Sequence, residues 1–182
     1  MIAANKKIHK SSQFYDWMQE AYVTDMAIGI RKMVDWDKRT VSFVKLLQEI
    51  EDHPEVITRR RFVSVYKSFM KRFGHKDFEK FAKPGASMID RSIIRQHRQA
   101  LIKSQKKLRI FVNTHVAHIG RFRMRKLPTF DDLNTALDQL EQLTKTYALL
   151  LNQMGLVRVA PTIINDWKAI FRIAWLPASD SP

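Results

Sequence analysis

The sequence contains no cysteine, which excludes disulfide bridges and zinc sites built on cysteine thiolates. Glycine and proline are scarce, with 5 and 6 among 182 residues, and so few turn formers favour long helices over a strand-rich sandwich. No apolar run approaches the roughly 18 residues that a membrane-spanning helix needs. Lysines near the N-terminus are not followed by an apolar segment, so we expect no signal peptide, no membrane contact and a cytoplasmic location.

Negative charge is also scarce, with 18 Asp and Glu against 32 Lys and Arg, a formal net charge of +14. A domain this basic is attracted to phosphate polymers, so we expect RNA as a partner. Between Arg91 and Phe130 there is no acidic residue at all. The cations of this stretch that we predict to bind nucleic acid are Lys103, Lys106, Lys107, Arg121, Arg123, Arg125 and Lys126.

Apolar residues recur three and four positions apart, which predicts an all-α helical bundle of five to seven helices. The longest predicted helix is placed at the centre of the bundle. We expect one domain over residues 13–176, between flexible tails at 1–12 and 177–182. The predicted helices cover residues 13–34, 40–51, 58–73, 77–81, 87–119, 129–154 and 162–175.

The first predicted helix carries one apolar face formed by Tyr15, Met18, Tyr22, Met26, Ile30 and Met33, and the second should turn Val44, Leu47 and Ile50 inward. Three later helices carry specific expectations about packing and ends. The inward stripe of the third is predicted to be Phe62, Val65, Tyr66, Phe69 and Phe73, and Gly74 is expected to break the helix. The long helix should bury Ile94, His97, Leu101, Ser104, Leu108, Phe111 and His115. For the helix from residue 129, we expect a Thr129–Asp132 capping box, buried Leu151 and Met154, and a C-cap at Gly155.

Four polar residues near the end of the long predicted helix could carry chemistry. Arg109 and Asn113 are four apart and share one helix face, while His115 and His118 are three apart and share another. Histidine can move protons near neutral pH, helping a ribose 2′-OH attack and the 5′-oxygen leave. Arginine can hold the phosphate and stabilise its developing charge. These four are the predicted catalytic residues of an RNA cleavage that requires no metal and no cofactor.

Simpler interpretations exist for several of these side chains. His97 on an apolar stripe is typical of a core histidine. His115 and His118 have the spacing of a zinc-binding pair, but no third ligand is evident in the sequence. Arg31 and Asp35, four residues apart, are typical of an ion pair within one helix.

The same residues resemble the signature of the HEPN superfamily, an arginine followed after four to six residues by histidine, often with a polar residue directly after the arginine. Residues 116–118, Val-Ala-His, are similar to the form found in the abortive-infection U-type branch. Residues 30–35 with 42–47 resemble the first helix pair of that branch, and residues 131–133 leading to Tyr147 resemble its later helix.

One position departs from the pattern, because Val112 stands where the resembled family has its arginine, directly before Asn113. Arg109 makes an Arg-x5-His pattern with His115. It lies nine residues before His118, so the two side chains would point to opposite sides of one helix. Either His115 is the motif histidine, or the catalytic arginine is missing.

The likeness covers residues 15–175 and implies a helical homodimer whose two motif helices line a shared cleft. It implies a metal-independent endoribonuclease or an RNA-binding, toxin-like protein of a phage-defence or toxin–antitoxin system, with an antitoxin protein as a further partner. The alternative is a catalytically degenerate helical module that binds nucleic acid or a protein.

Overall fold

The chain is described by a computed structural model at residues 13–116, 127–160, 165, 166 and 169. Within these residues it forms seven α-helices and no strand, so the predicted all-α class is confirmed. The predicted tails and almost all of the helix predicted over 162–175 lie outside them. The helices are α1 (Gln13–Lys32), α2 (Phe43–Asp52), α3 (Arg59–Ser64), α4 (Lys71–Phe78), α5 (Arg91–Ser104), α6 (Lys106–Phe111) and α7 (Phe130–Asn152), with a π-helical turn at Val112–Val116 after α6.

The main core lies where α2, α5 and α7 pack together, with α3 and α4 at one end. Tyr147 of α7 is almost fully buried and meets the ring of Phe43 edge-on, at 5.7 Å between ring centroids. The predicted inward face of α2 is confirmed, since Val44, Leu47 and Ile50 are all buried. Within the described residues, no helix combines the length and the low polarity needed to cross a bilayer.

A second, smaller cluster joins the C-terminal half of α1 to α6 and α7. It is built from Ala27, Ile30, Leu108, Val112, Leu133 and Ala136. The N-terminal half of α1 buries none of its described side chains, so the prediction that Tyr22 faces the core is wrong. Helical spacing identifies a face, but only the tertiary contacts decide how far along the helix that face is covered.

The single helix predicted over 58–73 is wrong, because α3 and α4 form a hairpin. Thr58 caps α3 as its Oγ1 accepts a hydrogen bond from the Arg61 N–H (3.3 Å), but α3 ends at Ser64. A turn then separates the two helices, so a stripe read across it does not lie on one face. Val65, Phe69 and Phe73 are accordingly 63%, 77% and 52% exposed instead of buried.

Gly74 does not end a helix but lies buried inside α4, and the short helix predicted over 77–81 is therefore also wrong. The aromatic ring of Tyr66 packs directly on Gly74, where an added Cβ would lie 2.9 Å from Tyr66 Cδ2. A glycine is therefore required at this position by close packing of the hairpin, rather than by the conformation of a turn.

The continuous helix predicted over 87–119 is divided into α5, α6 and the π-helical turn, and residues 117–119 lie outside the described part. Asp90 starts α5, accepting a hydrogen bond from the Ser92 N–H (2.8 Å). Gln105 interrupts the helix, and neither atom of its buried amide has a partner among the described residues. Ile94, Leu101 and Leu108 are buried as predicted, whereas the predicted burial of His115 is wrong. A π turn contains more residues per turn than an α-helix, so it shifts the stripe beyond residue 112.

The capping box of α7 is confirmed. Thr129 Oγ1 accepts from the Asp132 N–H (3.2 Å), and Asp132 Oδ2 accepts from the Thr129 N–H (2.6 Å). The C-terminal end was predicted wrongly, because the left-handed residue that ends α7 is Gln153 (φ 54°) and not Gly155. The predicted burial of Leu151 and Met154 is also wrong, because Leu151, inside the last turn of α7, is exposed, and Met154 lies beyond the end of the helix.

Candidate functional site

The predicted site residues divide into a described and an undescribed group. Arg109 lies on α6, and Asn113 and His115 lie on the π-helical turn. The predicted residues that lie outside the described part of the chain are His118, Arg121, Arg123, Arg125 and Lys126.

Val112 faces the interior. Its side chain is 3% exposed and packs in the smaller cluster with Ala27 and Ile30 of α1 and Ala136 of α7. The side chain directly before Asn113 is therefore part of the core and is not presented to solvent. The next residue, Asn113, is exposed.

The guanidinium that contacts Asn113 comes from α1. Arg31 Nε donates a hydrogen bond to Asn113 Oδ1 (2.9 Å), and Arg31 Nη1 lies 3.7 Å from Asp35 Oδ2. The predicted Arg31–Asp35 ion pair is thus present, but Arg31 also joins α1 to the π-helical turn. The sequence reasoning missed this role, because no local pattern connects two residues 82 positions apart.

His115 has a defined hydrogen-bonding partner on one side of its ring. Its Nδ1 lies 2.7 Å from Thr114 Oγ1, and that hydroxyl donates to the carbonyl oxygen of Ile110 (2.8 Å). A hydroxyl has one hydrogen to donate, so Nδ1 of His115 must be the donor to Oγ1. In the neutral ring, Nε2 then carries the free lone pair, which is the form that a general base needs. The ring also stacks on Phe111, with 5.5 Å between centroids.

The surface beside His115 is a groove of about 530 Å3 between α1 and the π-helical turn. Two carboxylates, Asp16 and Glu20, line its α1 side, together with Gln19. Carboxylates repel a phosphate, which carries charge of the same sign. Charge alone therefore does not draw an oligonucleotide into this groove.

A second groove, of about 600 Å3, lies between α5, α6 and α7 and carries the described part of the predicted nucleic-acid surface. Lys103 and Lys106 are exposed there, and neither has a side-chain partner among the described residues. Lys107 differs, because its Nζ lies 2.5 Å from Asp132 Oδ2. The hydrogen bond from Lys107, followed by that from the Thr129 N–H, lowers the pKa of Asp132 to about 2. Lys107 thus fastens α6 to the start of α7, and its charge is already neutralised.

Upstream cations of the acid-free stretch are also neutralised, although by a residue distant in sequence. Arg95 Nε and Arg98 Nη2 lie 2.8 and 2.9 Å from the two carboxylate oxygens of Glu51, which is 5% exposed. Burial pushes the pKa of Glu51 upward, but the hydrogen bonds from both arginines outweigh it and hold the pKa below its ordinary value. Arg91 donates to the backbone carbonyl of Asp52 (3.1 Å), so these arginines lock α5 to α2.

The family model HEPN_AbiU2, described as AbiU2, matches residues 1–170. The chain belongs to the AbiU2 family of HEPN domains. This membership confirms the resemblance seen in the sequence and identifies an abortive-infection, toxin-like module. Neither the curated proteins nor the solved structures include a match to this AbiU2-family chain.

Two of the simpler interpretations can be compared with the geometry of the AbiU2-family chain. His97 is half-buried, its Nδ1 lies 3.1 Å from Tyr147 Oη, and burial lowers its pKa, all of which fit the predicted core histidine. Among residues 13–116 and 127–160, no three His, Asp or Glu side chains cluster as a metal site would require. The zinc interpretation of His115 and His118 stays untested, because His118 lies outside the described residues.

Proposed function

We propose that this AbiU2-family chain is an RNA-directed, toxin-like protein of a phage-defence or toxin–antitoxin system and cleaves RNA without a metal. The observation that carries the proposal is the arrangement on the π-helical turn. It carries the His115 imidazole, whose Nε2 has no hydrogen-bond partner among the described residues, and Asn113, which holds the Arg31 guanidinium. A proton acceptor and a cation are the two kinds of group that RNA cleavage by its own 2′-OH requires.

In the proposed reaction, His115 Nε2 removes the proton of a ribose 2′-OH. The 2′-oxygen then forms a bond to phosphorus, the bond from phosphorus to the 5′-oxygen breaks, and His118 gives that oxygen a proton. Arg31 stabilises the charge on the phosphoryl oxygens, and Arg109, half-buried on α6, is a second candidate for this role. The products are a 2′,3′-cyclic phosphate and a free 5′-hydroxyl.

Substitutions at the site test the cleavage step. We expect His115→Ala and His118→Ala each to abolish cleavage of a labelled RNA, and EDTA to leave the rate unchanged. Arg31→Ala should reduce the rate by about 10²–10³, the effect typical of losing one preorganised charge-stabilising donor. His53→Ala, at an exposed histidine distant in sequence from the π-helical turn, is the matched control and should cut at the wild-type rate. Cleavage that EDTA stops would contradict the metal-free mechanism.

Binding is tested separately from cleavage. Lys103 and Lys106 are proposed to contact phosphates, so affinity for RNA should fall steeply with salt because the contacts release counterions. Lys103→Ala with Lys106→Ala should weaken binding to every RNA sequence alike. The control is Lys80→Ala with Lys145→Ala, which removes two lysines already paired with Asp77 and Glu141. Binding that does not respond to salt would contradict the proposed surface.

A second candidate function is RNA binding without cleavage, and two observations favour it. Val112 is buried in place of an exposed arginine, and carboxylates of α1 line the groove beside His115. Under this candidate the purified protein retains RNA in a salt-dependent manner and never produces a cyclic phosphate. The homodimer and the antitoxin partner are further parts of the proposal, and they rest on family membership alone. Sedimentation of a homodimer should give about twice the chain mass of 21.4 kDa.

A further inference from the structure

The hairpin of α3 and α4 presents an unusual combination of exposed rings and unpaired cations. The sequence from Val56 to Lys76 contains no Asp or Glu. Arg59, the first of its cations, is used internally, since it donates to the carbonyl oxygen of Ala86 (2.7 Å) and lies over the ring of Phe78. The others are exposed and have no ion pair among the described residues: Arg60, Arg61, Lys67, Lys71, Arg72 and Lys76.

The carboxylates next to this stretch are already occupied and do not neutralise it. Asp77 accepts hydrogen bonds from Tyr66 Oη (3.1 Å) and Lys80 Nζ (2.7 Å). Glu79 lies 3.4 Å from Arg59. Within the described part of the chain, the exposed cations of the hairpin therefore have no carboxylate partner, and a surface of this kind attracts a polyanion.

Two aromatic rings stand among these cations. Phe69 and Phe73 are four residues apart in the segment where the 3-10 turn at Ser68–Met70 continues into α4. Both rings therefore belong to one short segment of the hairpin. Both are more than half exposed, and the guanidinium of Arg72 lies 5.8 Å from the centre of the Phe73 ring.

The hairpin that carries the rings is fixed internally. The ring of Tyr66 packs on Gly74, as well as bonding to Asp77, and Phe62 packs against Phe78 with 5.5 Å between centroids. The exposed phenylalanines are therefore not needed to hold α3 against α4. Val65 and Met70 are also exposed on this hairpin, and a cluster of exposed apolar side chains rimmed by polar residues is typical of a binding surface.

We propose that this hairpin binds single-stranded nucleic acid, with bases stacked on Phe69 and Phe73 and phosphates held by Lys71, Arg72 and the neighbouring cations. Single strands are the form recognised, because only unpaired bases offer their faces to aromatic rings. The site lies on different helices from the π-helical turn and from Lys103 and Lys106. It adds a second contact surface to the proposed RNA-binding protein. The inference rests on the proposed function only in taking nucleic acid as the polymer that is bound.

The test measures fluorescence anisotropy of a labelled 2′-O-methyl oligouridine, which lacks the attacking hydroxyl and so reports binding without cleavage. Phe69→Leu with Phe73→Leu keeps the apolar volume but removes the ring faces, and we expect affinity to fall roughly tenfold to a hundredfold. Phe69→Trp with Phe73→Trp keeps the stacking surface and should bind at least as tightly as the wild type. Phe14→Leu with Trp17→Leu makes the same type of change at an exposed aromatic pair on α1 and should have no effect.

Charge is tested by Lys71→Ala with Arg72→Ala. The slope of log affinity against log salt should become shallower by about 0.7 for each phosphate that the variant no longer neutralises. Unchanged affinity of the leucine double variant would overturn the proposal, and so would binding of a duplex as tight as that of the single strand. The protein could instead bind anionic phosphatidylserine vesicles but not oligouridine, and the leucine variant could retain that vesicle binding. This result would overturn the proposal and identify a lipid-binding surface. If Lys103→Ala with Lys106→Ala weakens binding but the hairpin variants do not, the proposed function stands and this inference fails.

Discussion

Replacing Val112 by arginine puts back, at the position before Asn113, the residue type that the resembled signature has there. We expect this change to destabilise the protein rather than to restore a catalytic group. Val112 is 3% exposed and lies in the cluster formed by α1, α6 and α7. Its partners in that cluster are apolar, including Ala27, Ile30 and Leu133, and apolar side chains accept no hydrogen bond from an arginine.

The magnitude follows from two costs. Burial of a valine side chain contributes about 1.5–3 kcal/mol, and most of that would be lost. A guanidinium left without a partner inside a protein costs several kcal/mol even after the structure relaxes. The free energy of unfolding should therefore fall by about 3–5 kcal/mol, a large part of the roughly 5–15 kcal/mol that holds a domain folded.

Urea unfolding followed by far-ultraviolet circular dichroism measures this change as a lower midpoint. The matched control is Ile110→Arg, at a 39% exposed position on α6 two residues before Val112, which should change the unfolding free energy by no more than about 0.5 kcal/mol. An RNA cleavage assay on both variants completes the experiment. A Val112→Arg protein that is as stable as the wild type and cuts RNA faster would refute the conclusion that this position belongs to the core.

Three further predictions concern the packing that positions the site. Glu51→Gln should lower the free energy of unfolding by about 1–3 kcal/mol near neutral pH. Because a carboxyl group with a lowered pKa stabilises the fold only while it is ionised, this difference should disappear as the pH falls through the folded-state pKa of Glu51. Urea titrations at several pH values measure the difference. Tyr147→Phe should cost about 0.5–1.5 kcal/mol in thermal unfolding through loss of the hydrogen bond to His97, and an accompanying loss of RNA cleavage would contradict a purely structural His97. Gly74→Ala should cost about 1–3 kcal/mol in urea unfolding, since the new methyl group meets the ring of Tyr66, and an unchanged midpoint would show that this ring can move away.

The local sequence was sufficient to predict a structural feature wherever that feature depends on contacts between residues close in the chain. The capping box of Thr129 and Asp132 involves residues three apart, and the inward face of α2 is one uninterrupted apolar stripe. The all-α class follows from the same kind of information, repeated along the chain. The AbiU2 resemblance was also visible in the sequence, because it rests on short motifs and not on geometry.

The tertiary structure decided which apolar residues of a stripe are buried and which cations of a basic stretch remain exposed and unpaired among the described residues. Phe69 belongs to the predicted stripe of one helix, but a turn between α3 and α4 points its ring to solvent. The acid-free stretch after Arg91 reads as one cationic surface, yet the fold brings Glu51 and Asp132 against three of its cations. Charges attract each other through space, so a count of charges along a stretch of sequence misses an ion-pair partner that lies more than twenty residues away.

The candidate site shows the same division. The sequence by itself determined that Asn113 and His115 lie near each other, and that valine precedes them where the resembled signature has arginine. Only the tertiary structure decided that this valine is buried and that Arg31 of α1 reaches Asn113. The physical reason is that helical periodicity fixes which residues share a face, whereas the element packed against that face depends on long-range contacts that no local pattern encodes.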